Sequence, residues 1–156
     1  MRRANRHLSM AAVCVLAVMT LTACGARTVA IEDYPIASDV SATCEKLVAE
    51  LPGEVATQGR RVVEPTTTHI DKYSAAWGSP VIALRCGDPA PDDFIPETGD
   101  IVVDGITWSP QQLTHGYRFY SKGLAVPLSF TVPAEYSPET DALTDIAAAL
   151  TPYLKP

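Results

Sequence analysis

The stretch VIALRC, residues 81–86, has the clearest strand pattern in this 156-residue chain. Alternate side chains of a β-strand point to opposite faces of the sheet. Ile82, Leu84 and Cys86 therefore share one face, while Arg85 lies on the other. We expect the face with Cys86 to line the core of the domain.

A helix is predicted upstream, over residues 39–51. Its apolar residues recur at i, i+4, i+7, i+8 and i+11, which is the spacing of one helix face; they are Val40, Cys44, Leu47, Val48 and Leu51. Pro52-Gly53 then ends the helix. Cys44 lies in the middle of the apolar face, so it also points to the core.

Two hairpins are predicted in the second half of the chain. Residues 101–108 surround Asp104-Gly105, a pair that suits a type I′ turn because both central residues need positive φ. The second hairpin joins strands at 117–121 and 124–132. Pro127 lacks an N–H group, which favours an edge strand or a bulge at that point.

The final helix is predicted to begin at Ser137, with Pro138 in its first turn. Proline-rich, acidic residues 87–100 favour a loop, and residues 75–80 a turn that carries Trp77. The predicted fold class is α+β, a largely antiparallel sheet with the N- and C-terminal helices packed on one face. Residues 39–156 would form this single domain.

The N-terminus has the pattern of an export signal. Three arginines precede a 12-residue apolar run, which is too short to span a bilayer. Leu21-Thr22-Ala23-Cys24 resembles the bacterial lipobox, whose cysteine takes the lipid. We therefore predict a lipoprotein signal peptide at 1–23, lipid attachment at Cys24 and a membrane tether at 24–38, part of which could instead pair as an edge strand. The alternatives are a secreted protein that is cut nearby and an uncleaved anchor.

Cleavage before Cys24 would leave 133 residues and would remove three arginines but no acid, so the net charge would change from −6 to −9. Such an acidic domain does not attract nucleic acid. The expected partners are the membrane, through the lipid anchor, and another envelope protein. The expected location is the extracytoplasmic face of the cell membrane.

Cys44 and Cys86 are the two cysteines that remain besides Cys24. Thiols outside the membrane face an oxidising compartment, which favours a disulfide between them. Such a bond would join the first helix to the inner face of the sheet. Two buried free thiols and a two-cysteine metal site are the alternatives.

Several of these features occur together in a known family. Cys44 lies on an early helix, AAWGSPVIALRCG follows at 75–87, and a proline-rich acidic loop precedes Asp104–Trp108. An apolar strand then closes on Val132-Pro133. Over about residues 40 to 150 the chain resembles actinobacterial lipoproteins known as domain of unknown function family 3515. The resemblance implies an envelope-exposed, membrane-linked domain with a cysteine pair, and it brings no activity or catalytic residue.

Motifs of catalysis are absent from the sequence. It contains no Gly-x-Ser-x-Gly, His-Glu-x-x-His, Walker A or Cys-x-x-Cys pattern. His69, Asp71 and His115 are more typical of exposed loop residues than of a metal site, and Asp92-Asp93 of a solvated turn. We predict no enzymatic activity, no cofactor and no metal.

Trp77, Arg85 and Trp108 are the candidate binding residues. If the helices cover one face of the sheet, Arg85 lies on the open face, where the tryptophans would flank it. The alternative for each tryptophan is a structural role that seals an edge of the core. The sequence thus predicts a non-enzymatic binding or scaffold domain, with a carrier or sensor of a small apolar or glycan ligand as the alternative and an envelope hydrolase as a third hypothesis.

Overall fold

The computed structural model describes residues 28–96 and 98–155. The predicted signal peptide at 1–23 and Cys24 lie outside the described residues. Three helices and eight strands follow one another in the order α1 (Ser38–Glu50), β1 (Glu54–Val55), β2 (Gln58–Arg61), α2 (Ile70–Tyr73), β3 (Ser74–Trp77), β4 (Ile82–Cys86), β5 (Ile101–Val103), β6 (Ile106–Leu113), β7 (Gly116–Lys122), β8 (Leu128–Pro133) and α3 (Thr140–Leu150). Among these residues, no helix has the length and apolar character needed to cross a membrane.

All eight strands form one antiparallel sheet in the order β1-β2-β3-β4-β8-β7-β6-β5. The last strand, β8, therefore lies inside the sheet between β4 and β7. The predicted α+β class with a largely antiparallel sheet is confirmed.

Strand register divides the sheet into two faces. Leu84 pairs with Ala75 and Phe130, and Phe130 pairs with Phe119, so these four side chains share the first face. They belong to the larger hydrophobic cluster, which also contains buried residues of α1 and α3. Arg85 pairs with residues of the second face.

The disulfide between Cys44 and Cys86 is present, and the prediction is confirmed. The Cα atoms of the two residues are 5.4 Å apart, across 42 positions of sequence. Both side chains are fully buried in the larger cluster. The bond joins the middle of α1 to the end of β4, as the two hydrophobic periodicities predicted.

A short N-terminal segment packs on the second face, so the tether prediction is wrong for residues 28–36. Val29 bridges Val63 in parallel fashion, and its N–H donates to the Val62 carbonyl at 2.8 Å. Val29, Ile31 and Tyr34 are buried in a smaller cluster with Val63, Ile70 and Ala76. The segment has little regular secondary structure, but it contains enough apolar residues to cover part of the sheet.

Hairpins were predicted with mixed success. Asp104 and Gly105 have φ values of 48° and 81°, as the predicted turn requires. The second hairpin differs, since β8 begins at Leu128 and Pro127 precedes it. The prediction of an edge strand or bulge there is wrong, because β8 pairs on both sides.

Two boundaries also differ from the prediction. α3 begins at Thr140 rather than Ser137, and Pro138 lies before the helix, where its carbonyl accepts the Asp141 N–H at 3.0 Å. Residues 74–77 form β3 instead of a turn. All four are buried, so the strand shows none of the alternation that identifies a half-exposed strand.

Candidate functional site

Trp77 is a core residue and not part of a binding surface. Its side chain is fully buried, and its ring meets Phe130 edge-on at 6.3 Å between centroids. The indole Nε1 donates to the Pro52 carbonyl at 3.0 Å, and the Arg60 guanidinium carbon lies 5.6 Å from the ring centroid. The ring therefore joins β3 to the turn that follows α1.

Trp108 is also fully buried in the larger cluster. It pairs with Ile101 and Ser121 on the first face of the sheet, whereas Arg85 lies on the second. The predicted surface of Trp77, Arg85 and Trp108 is therefore wrong: the structure does not bring these residues together. The physical reason is that a large aromatic ring gains most free energy when its whole area leaves water.

Arg85 belongs to a polar cluster on the second face. Its guanidinium carbon lies 5.3 Å from the Tyr34 ring centroid, and its Nη1 lies 3.8 Å from Oδ2 of Asp88. The Ser129 hydroxyl donates a short hydrogen bond to the same Asp88 oxygen. Only about a fifth of the Arg85 and Asp88 side chains is exposed, 18% and 20%. These four residues hold three separate segments of the chain together.

Tyr34 fixes the N-terminal segment to the sheet. Its hydroxyl lies 3.0 Å from the carbonyl oxygens of both Tyr73 and Cys86 and donates to them. Burial raises the pKa of the Tyr34 phenol, and the Asp88 carboxylate raises it further against the opposing effect of Arg85. The phenol thus stays neutral and acts as a structural donor. The face that the sequence left open is covered here.

The acidic loop, residues 87–100, covers another part of the second face. Asp88 holds its beginning through Ser129, and Asp100 holds its end by accepting from the Ser109 hydroxyl at 2.6 Å and from Lys122 Nζ at 2.7 Å. These hydrogen bonds lower the pKa of the Asp100 carboxyl. Both ends of the loop are therefore fastened to strands, as expected for a loop that presents its tip in a fixed position.

The tip of the acidic loop forms one side of a groove of about 400 Å³. Phe94 packs against Tyr120 of β7 with ring centroids 5.1 Å apart, whereas the neighbouring Ile95 is 82% exposed. The groove is lined by Pro91, Asp93, Phe94, Ile95, Pro110, Gln111 and Gln112. We call it the edge groove, because its other side is the outer edge of β6.

The outer edge of β6 is partly paired. β5 pairs with β6 as far as Trp108, and no strand of the described residues pairs with residues 109–113 on that side. The two-residue turn between β5 and β6 is closed by the hydrogen-bonded pair Val103–Ile106. Backbone hydrogen bonds toward β5 therefore recur at every second residue of β6, counted from Ile106. The backbone groups of Pro110 and Gln112 therefore point away from β7, toward the groove. Gln112 is exposed, whereas Pro110 is buried and has a carbonyl but no N–H. A proline at this position limits uncontrolled pairing of the edge.

Other cavities are less suited to a ligand. One groove is lined by Ile101, Tyr117 and Phe119 among others. Its volume of about 180 Å³ is below the usual volume of a small-molecule site. A cleft of about 420 Å³ is lined by Glu54, Asp141 and Asp145, and Asp145 there accepts the Ala56 N–H at 2.7 Å. That hydrogen bond gives Asp145 a structural role.

The described part of the chain contains no group of three or more histidine, cysteine or acidic side chains that would suit a metal ion. His69 precedes α2 with a φ of 58°, and His115 lies in the turn between β6 and β7. Both side chains are exposed.

Sequence reasoning missed Tyr34 and Ile95. Tyr34 was placed in the tether, although the alternation of Val29 and Ile31 is a weak signal for packing. Ile95 was hidden in a loop that was described only by its prolines and acids. The apolar pair Phe94-Ile95 in this otherwise polar, proline-rich loop is the sequence signal that indicates it.

The family comparison gives the chain a relationship but no activity. A family model described as "Protein of unknown function (DUF3515)" matches residues 7–156. No curated protein and no solved structure matches the chain. Since the match covers nearly the whole sequence, including every strand and helix of the fold, the chain belongs to the DUF3515 family of proteins of unknown function.

Proposed function

We propose that this protein is a lipid-anchored domain of the cell envelope, attached through Cys24 at the extracytoplasmic face of the membrane. The support is the order of features in the sequence: three arginines, a short apolar run and Leu21-Thr22-Ala23-Cys24. A buried disulfide suits an oxidising compartment. Two or more acyl chains on one cysteine give stable membrane attachment.

The function of the anchored domain, in this proposal, is non-enzymatic binding of an extended segment of another envelope protein at the edge groove. The observation that carries it is the 82% exposure of Ile95 beside an unpaired strand edge. An exposed apolar side chain at the rim of a groove suits a partner side chain, and the Pro110 carbonyl and Gln112 backbone suit an extended main chain.

Charge selects among such segments. Asp92 and Asp93 are exposed at the loop tip, and Asp93 lines the groove. The acids favour a partner segment that carries lysine or arginine near an apolar residue. We therefore propose a basic, extended segment as the occupant of the edge groove.

The proposal also uses a two-layer arrangement in which α1 and α3 cover the first face of the sheet. Its support is the larger cluster, in which Leu47 of α1 and Leu143 of α3 are buried with Leu84 and Phe130. The helices would then cover the first face, whereas the acidic loop that forms one side of the edge groove packs against the second face.

The anchor is tested by Cys24→Ala. We expect the variant to lose labelling by radioactive fatty acid and to accumulate as unprocessed precursor. Cys14→Ala, in the apolar run, is the matched control and should behave as the wild type. Unchanged lipid labelling and processing of the Cys24 variant would refute the anchor.

The binding site is tested by photo-crosslinking in living host cells. A photoreactive residue at position 95 should capture one recurrent protein, and the crosslinked peptide should be basic and apolar. The same residue at position 104, in the exposed turn between β5 and β6, is the control and should capture nothing recurrent. The double variant Asp92→Lys, Asp93→Lys should abolish capture at 95; undiminished capture, or equal capture at 104, would contradict the proposal.

The alternative function is a carrier or sensor of a small apolar or glycan ligand. The groove of about 180 Å³ supports it, because Tyr117 and Phe119 stack there with ring centroids 5.9 Å apart. Native mass spectrometry of the purified lipoprotein would show a retained molecule if this function were the true one. The small volume of this groove makes the carrier or sensor function the weaker proposal.

A further inference from the structure

The length of chain between Cys24 and the folded domain limits how far the domain can lie from the membrane. The described chain is packed from Val29 onward, and Thr28 precedes it. Cys24 and Thr28 are four positions apart in the sequence, and a fully extended chain spans at most about 14 Å over four such steps. If Cys24 is lipidated, the surface around Thr28 is within that distance of the lipid headgroups.

The N-terminal segment cannot lengthen this connection without unfolding. Val29 is held by backbone hydrogen bonds from its N–H to the Val62 carbonyl and from the Glu64 N–H to its own carbonyl, at 2.8 and 2.9 Å. Further along, Tyr34 is fastened by two carbonyl oxygens and by Arg85. The packed segment therefore keeps the anchor point at one end of the sheet.

That end carries an exposed apolar side chain. Val62 follows β2 directly, is 55% exposed and touches the segment that leads to the anchor. β5 lies at the other end of the sheet, six strand spacings from β2. At about 4.8 Å per spacing, β5 is about 29 Å away, which is twice the reach of the connection.

Charge opposes an orientation in which the domain lies flat on an anionic bilayer. On one side, α1 carries Asp39, Glu45 and Glu50 against one lysine, and α3 carries Asp141 and Asp145. On the second face, the acidic loop adds further carboxylates. Anionic headgroups attract basic residues and repel these surfaces.

We infer that the domain stands on the membrane with Val62 and the β2 end of the sheet against the lipid surface, and with the β5–β6 end directed outward. The inference rests on the proposed lipidation of Cys24. It names the bilayer as the partner of the Val62 surface. In this orientation the edge groove is presented away from the membrane, toward other envelope proteins.

The test uses the lipidated protein in vesicles of phosphatidylethanolamine and phosphatidylglycerol that contain a lipid with a nitroxide on its headgroup. A thiol-reactive fluorophore is placed at Val62→Cys or, as the matched control, at Val102→Cys, which is 68% exposed on β5. We expect quenching at 62 to exceed quenching at 102 by at least about twofold, given the separation of the two strands. Equal quenching, or stronger quenching at 102, would overturn the orientation.

A linker variant separates the orientation from the anchor. About 20 glycine and serine residues inserted between Arg27 and Thr28 add roughly 25 Å of average reach, so the difference in quenching should disappear while the protein stays on the vesicles. A persisting difference would show that the short connection does not set the orientation. If the protein without the linker fails to float with the vesicles, or if Cys24→Ala floats equally well, the proposed lipidation has failed instead.

Discussion

At the residue scale, Tyr34 joins the N-terminal segment to the sheet through one hydroxyl. Tyr34→Phe removes its hydrogen bonds to the carbonyls of Tyr73 and Cys86 and should lower the free energy of unfolding by about 1–3 kcal/mol, because buried carbonyls lose their donor. Urea denaturation at pH 7 measures the change. Tyr136→Phe is the control, since the Tyr136 hydroxyl donates to the Pro80 carbonyl at an exposed position; an equal loss in both variants would contradict the assignment.

The same residue predicts how stability depends on pH. Because burial raises the pKa of Tyr34 above its ordinary value of 10.0, the unfolded chain ionises first as the pH rises. The neutral Tyr34 phenol makes its full contribution to the free energy of unfolding below about pH 10. Above that pH the contribution falls by up to roughly 1.4 kcal/mol per pH unit. Tyr34→Phe should make this alkaline loss less steep. Part of the alkaline loss of stability should remain in this variant, because burial and the Glu50 carboxylate raise the pKa of Tyr153 to about 12.

Gly116 is required by its backbone. Its φ is 123°, and a Cβ atom there would overlap the Val132 carbonyl oxygen. Gly116→Ala should cost roughly 3 kcal/mol in the free energy of unfolding, because strain and overlap add. Gly99→Ala is the matched control: its φ is also positive, at 76°, but nothing lies near the new atom, so strain alone should cost about 1–2 kcal/mol. Equal urea midpoints for the two variants would refute the overlap.

At the element scale, the disulfide joins α1 to β4. It closes a loop across 42 positions, and in the chain-entropy model such a loop contributes about 4 kcal/mol. The double variant Cys44→Ala, Cys86→Ala should lose about that much in urea denaturation. Since both cysteines are fully buried, a reductant should act on the wild type only when the protein unfolds. Rapid reduction under native conditions would show that α1 is loosely packed.

The N-terminal segment is an element of the fold despite its lack of regular structure. A chain that begins at residue 28 should unfold as the complete mature chain does. A chain that begins at residue 38 exposes Val63, Ile70 and Ala76 and should lose at least about 2 kcal/mol, as a large-to-small core substitution does. Thermal unfolding followed by circular dichroism compares the two; equal stability would restore the tether interpretation.

At the scale of the whole molecule, the acidic charge keeps the domain off anionic surfaces unless a lipid holds it. The complete sequence carries 18 acidic and 12 basic residues, and three of the basic ones precede Cys24. A chain that begins at residue 28 should therefore not sediment with phosphatidylglycerol vesicles at low salt. If Cys24 is lipidated as proposed, the protein purified with its lipid is the positive control. Strong binding of the unlipidated chain would reveal a basic surface that the charge distribution does not predict.

The sequence by itself determined the local elements and the pairing of the cysteines. The apolar spacing around Cys44, the alternation around Cys86 and the Asp104-Gly105 turn are short-range signals, and each was confirmed because local periodicity reports which side of an element meets the core. The resemblance to the DUF3515 family rested on the same stretches, because the order of residues in WGSPVIALRCG, residues 77–87, is its most specific feature.

Only the tertiary structure decided what covers the second face of the sheet. The place of β8 between β4 and β7, the burial of Trp77 and Trp108, and the packing of residues 28–36 and the acidic loop all depend on register between distant strands. A loop or an N-terminal segment shows the same composition whether it lies free in water or against a sheet. Its position follows from the apolar and polar groups that the assembled sheet offers to it, and these exist only once the strands have paired.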